Sequence, residues 1–257
     1  MKTLIGMSAL ALVGVLLMSN GVYAGDCQHT RHLQRSVAMN NVDLIELIAG
    51  AGRLEVVGEK DRDNVEIEAY LCASSEELLE GLDVTDQLSA NTLKIETAYP
   101  NEGIWNSYQE MKIDLTVLVP EAAALDVTDS SGSAEIENVR QLTLVDSSGK
   151  IRIREIGGDV RVKDSSGGIS IKGVAGDVDL TDSSGGIDVE NVQGTVLVRA
   201  DSSGSIDVGN VGKDVLVRRD SSGSIRVKNV AGDFTVEKDS SGGIHYKDVV
   251  GTVNLPK

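Results

Sequence analysis

Hydrophobic residues in the second half of the chain recur at fixed distances after a repeated tetrapeptide, Asp-Ser-Ser-Gly, whose seven copies start 17 to 19 residues apart. Apolar residues stand at the fifth, seventh, tenth, fourteenth and sixteenth positions after each Asp. In the copy at Asp182 these five are Ile187, Val189, Val192, Val196 and Val198. Apolar positions two apart predict short strands with alternate side chains buried. Repetition at this period predicts a solenoid whose coils bury their apolar faces against each other.

Glycines mark the turns of each predicted coil, because glycine adopts positive φ at little cost and Asp and Ser bond to nearby backbone amides. The apolar intervals of 2, 3, 4 and 2 do not fit the six-residue period of a left-handed hexapeptide helix. We therefore expect an all-β fold, a right-handed single-stranded β-helix with about seven regular coils and a less regular N-terminal portion.

Charged residues occupy many of the outward positions between the apolar ones, and several acidic positions face basic ones in the next coil. Glu135 and Glu137 are followed one coil later by Arg152 and Arg154. Stacked coils lie about 4.8 Å apart, so this pattern predicts ion-pair ladders on a solvated face. Each exposed pair contributes only a few tenths of a kcal/mol.

The chain divides into four predicted segments. Residues 1–24 have the pattern of a secretory signal peptide, with Lys2 before an apolar run and small residues before the predicted cleavage. Residues 25–41 form a flexible N-terminal segment, 42–128 irregular solenoid coils with an insertion at 70–112, and 129–257 the regular repeats. A coil start without the tetrapeptide is expected at 49–56, with its second strand at Val65 and Ile67. In the insertion we expect a helical turn at 75–79 and a strand at 93–97.

Cys27 and Cys72 are the two cysteines of the chain. In an exported protein an even count favours one disulfide, and two unpaired thiols are the alternative. Asp26 directly before Cys27 disfavours lipid attachment. The predicted location is periplasmic or extracellular, with no membrane-spanning segment in the mature chain. The net charge of −16 argues against nucleic acid or an anionic membrane as partner.

These features resemble the bacterial DUF4097 family of adhesin-like β-solenoids. The resemblance rests on the signal peptide, the opening at Ala49 to Val56, the segment Leu71-Cys72-Ala73-Ser74, the strand ending Val117-Leu118-Val119-Pro120, and the serial Asp-Ser-Ser-Gly coils. It covers nearly all of the mature chain. It implies the architecture and an adhesin-like role, and it implies no catalytic residues.

The stacked aspartates of the tetrapeptides are the strongest candidates for chemistry, because carboxylates in register repel unless they are hydrogen-bonded, protonated or bridged by cations. Calcium would use such oxygens, but a turn in which each Asp accepts backbone hydrogen bonds explains the pattern without metal. We expect the structural turn, with no metal and no cofactor. The weak cation candidates are Asp129, Asp146, Asp164, Asp182, Asp201, Asp220 and Asp239.

An aromatic group in the insertion is the candidate partner-binding site. A ten-residue stretch of a polar loop contains Tyr99, Trp105 and Tyr108. Their rings could stack on sugar rings or anchor a protein. The alternative is that they cap the solenoid. At the C-terminal end, Tyr246 replaces the usual Val with a ring large enough to fold over the last coil, which predicts a monomer or a weak end-to-end dimer.

The sequence therefore predicts a non-enzymatic, exported β-solenoid of the cell envelope, an adhesin-like binding or scaffolding module for an unknown envelope or extracellular partner, either a glycan or a protein. One alternative is a carbohydrate-active enzyme on a β-helix, which needs an acid pair that breaks the repeat. Another is a self-assembling, bactofilin-like filament, which needs both ends flat and uncapped.

Overall fold

The computed structural model describes residues 27–39, 42–100 and 110–257, and the predicted signal peptide lies outside them. The fold is nearly all-β, a parallel β-solenoid of about seven turns. The elements of the N-terminal part are β1 (His29–Ala38), β2 (Leu44–Glu59), β3 (Asn64–Ala73), α1 (Glu76–Gly81), β4 (Asp83–Ser89), β5 (Thr92–Ala98) and β6 (Met111–Pro120).

Fourteen further strands form the regular part of the solenoid. They are β7 (Ala124–Glu137), β8 (Gln141–Asp146), β9 (Gly149–Ile156), β10 (Val160–Lys163), β11 (Gly167–Val174), β12 (Val178–Thr181), β13 (Ile187–Val192), β14 (Val196–Ala200), β15 (Ile206–Val211), β16 (Val215–Val217), β17 (Ile225–Val230), β18 (Phe234–Val236), β19 (Ile244–Val249) and β20 (Val253–Asn254).

Parallel pairing links these strands in two series. One series runs from β7 through β8, β10, β12, β14, β16 and β18 to β20, and the other from β7 through β9, β11, β13, β15 and β17 to β19. Equivalent residues of successive coils face each other in register, as Ile187 faces Ile206 and Val192 faces Val211. Each coil thus contributes one strand to each face of the solenoid.

The core lies between the two series and consists of the predicted apolar positions. All five in the copy at Asp182 are buried, with at most 2% of any residue exposed. Their β-branched side chains stack on copies of themselves, which suits a pleated and repeated surface. The pattern of five inward positions is confirmed for the copies that start at Asp146, Asp164, Asp182, Asp201 and Asp220. In the copy at Asp129 the last two inward residues come one position earlier, at Leu142 and Leu144, and Val145 is 40% exposed.

The first coil is confirmed at residues 49–56, since β2 runs parallel to β7 and places Gly52 opposite Gly132. The expectation for Val65 and Ile67 is wrong. They belong to β3, which runs antiparallel to β6 and to β1, so it completes no parallel coil. The short turn between β2 and β3 reverses the chain. Because β6 runs parallel to β2, the reversed β3 pairs with β6 in the antiparallel sense.

The insertion begins with a helix and adds a strand to the solenoid. Ser75 caps α1, and its hydroxyl accepts the amide hydrogen of Leu78 (3.3 Å). The following β4 and β5 form an antiparallel hairpin, and β5 pairs in parallel with β2. Both the helical turn and the strand predicted at 93–97 are present.

The N-terminal segment at 25–41, predicted to be flexible, is a strand within its described residues. β1 pairs with β3 over ten residues, and Leu33 and Val37 pack against the core. The polar residues between them hid this face in the sequence. A disulfide joins Cys27 to Cys72, with Cα atoms 5.5 Å apart, and so fixes the start of β1 to the end of β3.

The predicted ion-pair ladders are present on the face formed by β7, β9 and their successors. Arg154 contacts Glu135 of the preceding coil at 2.7 Å, and Lys172 contacts Glu190 of the following coil at 3.1 Å. The last coil is more exposed than the others. Tyr246 is 50% exposed and its ring lies 6.1 Å from that of Phe234, which it partly covers.

Candidate functional site

Six aspartates of the tetrapeptides form a line of buried carboxyl groups, which we call the inner column. None is more than 2% exposed. Strand register places Asp129 beside Asp146, and Asp201 beside Asp220. The members of the inner column are Asp129, Asp146, Asp164, Asp182, Asp201 and Asp220.

Backbone amides of the same turn bind one oxygen of these carboxyl groups. Oδ1 of Asp182 accepts the amide hydrogens of Ser183 (2.7 Å) and Ser184 (3.2 Å), and Asp164 repeats this arrangement with its own two serines. These bonds close the tight turn between the two faces of each coil. The structural role predicted for the tetrapeptide is therefore visible at Oδ1.

The second oxygen behaves differently. Oδ2 of every member of the inner column is buried and has no hydrogen-bond partner among the described residues. The expectation that backbone donors satisfy the whole carboxylate is therefore wrong for Oδ2. Both serine amides of the turn bind Oδ1 in Asp146, Asp164 and Asp182, one does so in Asp129 and Asp201, and neither oxygen of Asp220 has a partner there. A buried polar atom without a partner is costly, and it costs far more when the group is charged.

Burial raises the pKa throughout the inner column, because desolvation penalises the carboxylate. The pKa of Asp129 rises to about 7, with a further contribution from the charge of Asp146. Burial also raises the pKa of Asp201 to about 6, assisted by Asp182 and Asp220. The serine amides act in the opposite direction without cancelling the effect.

The glycine that ends each tetrapeptide allows the coils to stack closely. Gly185 has φ +144°, and a Cβ there would overlap the carbonyl oxygen of Gly167 in the preceding coil. Gly132, Gly149 and Gly204 show the same approach. The glycines therefore form their own column beside the aspartates and bring the turns into contact.

The aromatic group predicted in the insertion is only partly described. Trp105 and Tyr108 lie outside the described residues. Tyr99 is partly buried against the core, and its hydroxyl donates a hydrogen bond to the carbonyl of Ala51 (2.7 Å). Burial raises the pKa of Tyr99 to about 12. This tyrosine caps the start of the inner column, which favours the capping alternative for this residue.

A long groove follows the corner at which each coil turns from one face to the other. Its volume is about 1270 Å³, and it extends from Glu121 to Val250. The floor of this corner groove is the buried valine or isoleucine at the tenth position of each coil, such as Val192 and Val211. Small residues such as Gly212 and Ala231 form one wall.

Asparagines form the other wall of the corner groove, and sequence reasoning missed them. Asn191, Asn210 and Asn229 stand at the ninth position of their coils with φ near +57°. Asn210 donates from Nδ2 to Oδ1 of Asn191 (3.0 Å), and Asn229 donates in the same way to Asn210 (2.9 Å). The signal was recurrent Asn, Gly and Asp at one position, since these residues tolerate the left-handed region.

Within residues 27–39, 42–100 and 110–257, no three or more His, Cys, Asp or Glu side chains are grouped so as to hold a metal ion. None of the helices there has the length and apolar character needed to cross a membrane.

Solved structures with a similar course of the chain come from several bacteria. A candidate cell adhesion protein from Clostridium sporogenes is 14% identical, with 88% of this chain and 99% of that chain covered and a TM-score of 0.40. A candidate lipid-binding protein from Parabacteroides distasonis is 18% identical, with 88% and 97% covered and a TM-score of 0.46. A candidate adhesin from Bacteroides fragilis is 14% identical, with 88% and 97% covered and a TM-score of 0.38. Likeness at this level says nothing about ligand or activity.

The amino-acid sequence assigns the family more directly than these structures do. No curated protein matches the sequence. The family model described as Toastrack DUF4097 matches residues 56–255, which include the insertion and all seven tetrapeptides. The resemblance inferred from the coil pattern is confirmed, and the chain belongs to the DUF4097 (Toastrack) family.

Proposed function

We propose that this protein is a non-catalytic binding module, exported to the cell envelope, that holds an extended neutral glycan in the corner groove. The observation that carries the proposal is the groove itself. Its apolar floor passes from coil to coil, and three successive coils add side-chain amides at constant spacing. A surface that repeats along one axis suits a ligand that also repeats along one axis.

The chemistry of the amide wall favours sugar hydroxyl groups. An asparagine amide both donates and accepts, as a hydroxyl does, and Asn210 uses only one of its two N–H groups on its neighbour. The backbone beside the groove is already engaged between coils, for example from Gly212 to the carbonyl of Val192 (2.8 Å). An extended peptide would therefore find no open strand edge to pair with.

Charge favours a neutral polymer over an acidic one. The chain carries a net charge of −16, which repels polyanions. Amides and aliphatic residues line the groove in the three coils of the asparagine wall. The titratable lining residues lie in coils on either side of that stretch and are Glu121, Arg140, Glu155 and Asp248. Repetition of the same wall in successive coils supports a binding role, since glycoside hydrolysis needs one local pair of acids.

Export is supported by the disulfide between Cys27 and Cys72, since such bonds persist in oxidising compartments. The adhesin-like part of the proposal rests on the groove and on family membership. The names of the similar solved structures add no weight to it.

A screen of the protein without its first 24 residues on an array of neutral and acidic glycans tests the proposal. We expect binding to a neutral linear glycan, at least a tenfold loss in Asn210→Gly, and no loss in Asn254→Gly. Glycine preserves the positive φ of Asn210 and removes only the amide. Asn254 is the matched control because its amide lies on β20, away from the groove. Absence of glycan binding, or equal binding by Asn210→Gly, contradicts the proposal.

A further inference from the structure

The inner column is closed at one end and open at the other. At its start, the register of β2 and β7 places Ala49 beside Asp129, and Tyr99 lies close enough for its pKa to respond to the charge of Asp129. At its far end, Asp220 faces Asp239, which is partly exposed. Solvent therefore reaches the next aspartate of the series, Asp239, whereas Asp220 beside it is buried.

Partners for the charge of the inner column are scarce. The groups that act on these carboxyls are the serine amides of each turn and the neighbouring aspartates, together with Tyr99 beside Asp129. Neighbouring coils lie about 4.8 Å apart, so fully ionised carboxylates would repel strongly in a medium of low dielectric constant. Six Oδ2 atoms without partners would add the cost of desolvated charge.

A proton removes both costs. A protonated carboxyl group is neutral, and its O–H can donate a hydrogen bond to a neighbouring carboxylate. The surroundings of Oδ2 are buried, with less than 1 Å² of each atom accessible, which suits a proton better than a hydrated cation. Coupled carboxyls that share a site hold protons in steps, because each charge disfavours ionisation of its neighbours.

We propose that the inner column is a proton-binding site, in which buried aspartates of the folded solenoid keep protons in the mildly acidic to neutral range, where the unfolded chain has lost them. The six carboxyl groups then form a partly neutral line between the two faces instead of a line of like charges. The consequence is that mild acid stabilises this protein.

The direction in which stability changes with pH follows from the pKa shifts. In the folded chain the pKa of Asp129 is about 7 and that of Asp201 about 6, whereas the ordinary value for both is 3.8. The folded state therefore binds more protons than the unfolded state between about pH 4 and pH 7. Stability from these groups is fully present below pH 4 and is lost as the pH rises through their folded pKa values.

Urea unfolding at pH 5 and pH 8 tests the proposal with a matched pair of variants, Asp182→Asn and Asp177→Asn. Both substitutions remove one negative charge and keep an Oδ1 atom that can accept a hydrogen bond. Asp182 is buried, whereas the side chain of Asp177 is 58% exposed and accepts from the amide of Thr195 (2.8 Å). The comparison matters because the net charge of −16 makes acid generally favourable.

We expect the urea midpoint of the parent to be higher at pH 5 than at pH 8. Asp182→Asn raises the midpoint at pH 8 and reduces its change with pH, whereas Asp177→Asn leaves the change with pH as in the parent. Equal behaviour of the two variants would mean that net charge alone is responsible, and it overturns the proposal.

A second measurement needs no variant. Unfolding the parent in weakly buffered urea at pH 6 should release about one proton or more per chain, since Asp129 and Asp201 lose the protons that the folded state holds. No release overturns the proposal. A saturable rise of the urea midpoint with calcium that a chelator reverses would also overturn the proposal, because the column would then hold a cation.

Discussion

Two sets of turn aspartates run along this solenoid, and they differ in one respect. The inner column lies in the Asp-Ser-Ser-Gly turns and is buried. An outer column lies in the opposite turns, where exposed aspartates often follow glycine, and consists of Asp159, Asp177, Asp214 and Asp233. In both columns Oδ1 accepts a backbone amide hydrogen.

The donors show the different tasks of the two columns. In the inner column the donor belongs to the same turn, as Ser183 does for Asp182, so the bond closes the turn. In the outer column the donor belongs to the next coil, as Asp233 does for Asp214 (2.8 Å), so the bond joins coils. The same residue type therefore fixes the shape of a coil in one column and the spacing between coils in the other.

Burial decides what happens to the second oxygen. In the outer column the carboxylate meets water, which solvates its charge. In the inner column Oδ2 is buried away from solvent and has no donor among the described residues, so ionisation is disfavoured. The comparison teaches that a repeated aspartate can be a simple turn residue on one edge of a solenoid and a proton-binding group on the other.

The largest effect is expected when an aspartate is introduced into the core, where no turn amides bind its carboxylate. Val211 is 3% exposed in the core of a central coil. Val211→Asp should destabilise the solenoid by about 3 kcal/mol or more, because no donor accompanies the carboxylate. Thermal unfolding checks this, with Val250→Asp as the control, since Val250 is 82% exposed. If the two variants melted at similar temperatures, a carboxylate in the core would be tolerated without turn amides. The amides would then not explain why the inner column is tolerated.

An intermediate effect is expected from the glycine column beside the inner aspartates. Gly185→Ala should cost about 1–3 kcal/mol, because the new methyl group meets a backbone carbonyl and φ is positive. Gly186→Ala, one residue away, should change stability by no more than about 0.5 kcal/mol, since its nearest neighbour would be the oxygen of Ser205 at 4.0 Å. Urea unfolding measures both. A tolerated Gly185→Ala would contradict the close stacking of these turns.

The smallest effect is expected on the exposed face, where charge is paired and solvated. Arg226 contacts Asp207 at 3.3 Å with both side chains about half exposed. Arg226→Gln should lower the free energy of unfolding by about 0.2–0.5 kcal/mol, and high salt should remove the difference. Arg218→Gln is the control, because Arg218 makes no ion pair in the described part of the chain. A larger loss would mean that the outer charges matter as much as the inner ones.

The regular coils were readable from sequence because their structure is local and repeated. Five apolar offsets and one tetrapeptide determine which residues face inward, and the core contains these positions. The antiparallel course of β3 was not readable, since Val65 and Ile67 alternate like any strand and alternation does not encode direction. The strand at β1 was hidden for a similar reason, because its few apolar residues are separated by polar ones.

The candidate sites divide in the same way. The sequence identified the aspartates and predicted that backbone amides would bind them. It could not show that Oδ2 would be left without a donor, since that depends on the path of each turn. It also gave no weight to Asn191, Asn210 and Asn229, whose role as a wall depends on their position at a positive-φ corner.

The sequence by itself determined the solenoid, its period, its core positions and the chemistry of its turns, because these follow from side-chain alternation and turn preferences within each coil. The tertiary structure alone decided which aspartates lose contact with water and which corner forms a groove. Those properties arise when coils stack, and stacking removes solvent from one edge of the molecule while leaving the other exposed. The charge state of a buried carboxyl group is therefore set by its neighbours in space, one coil above and one below.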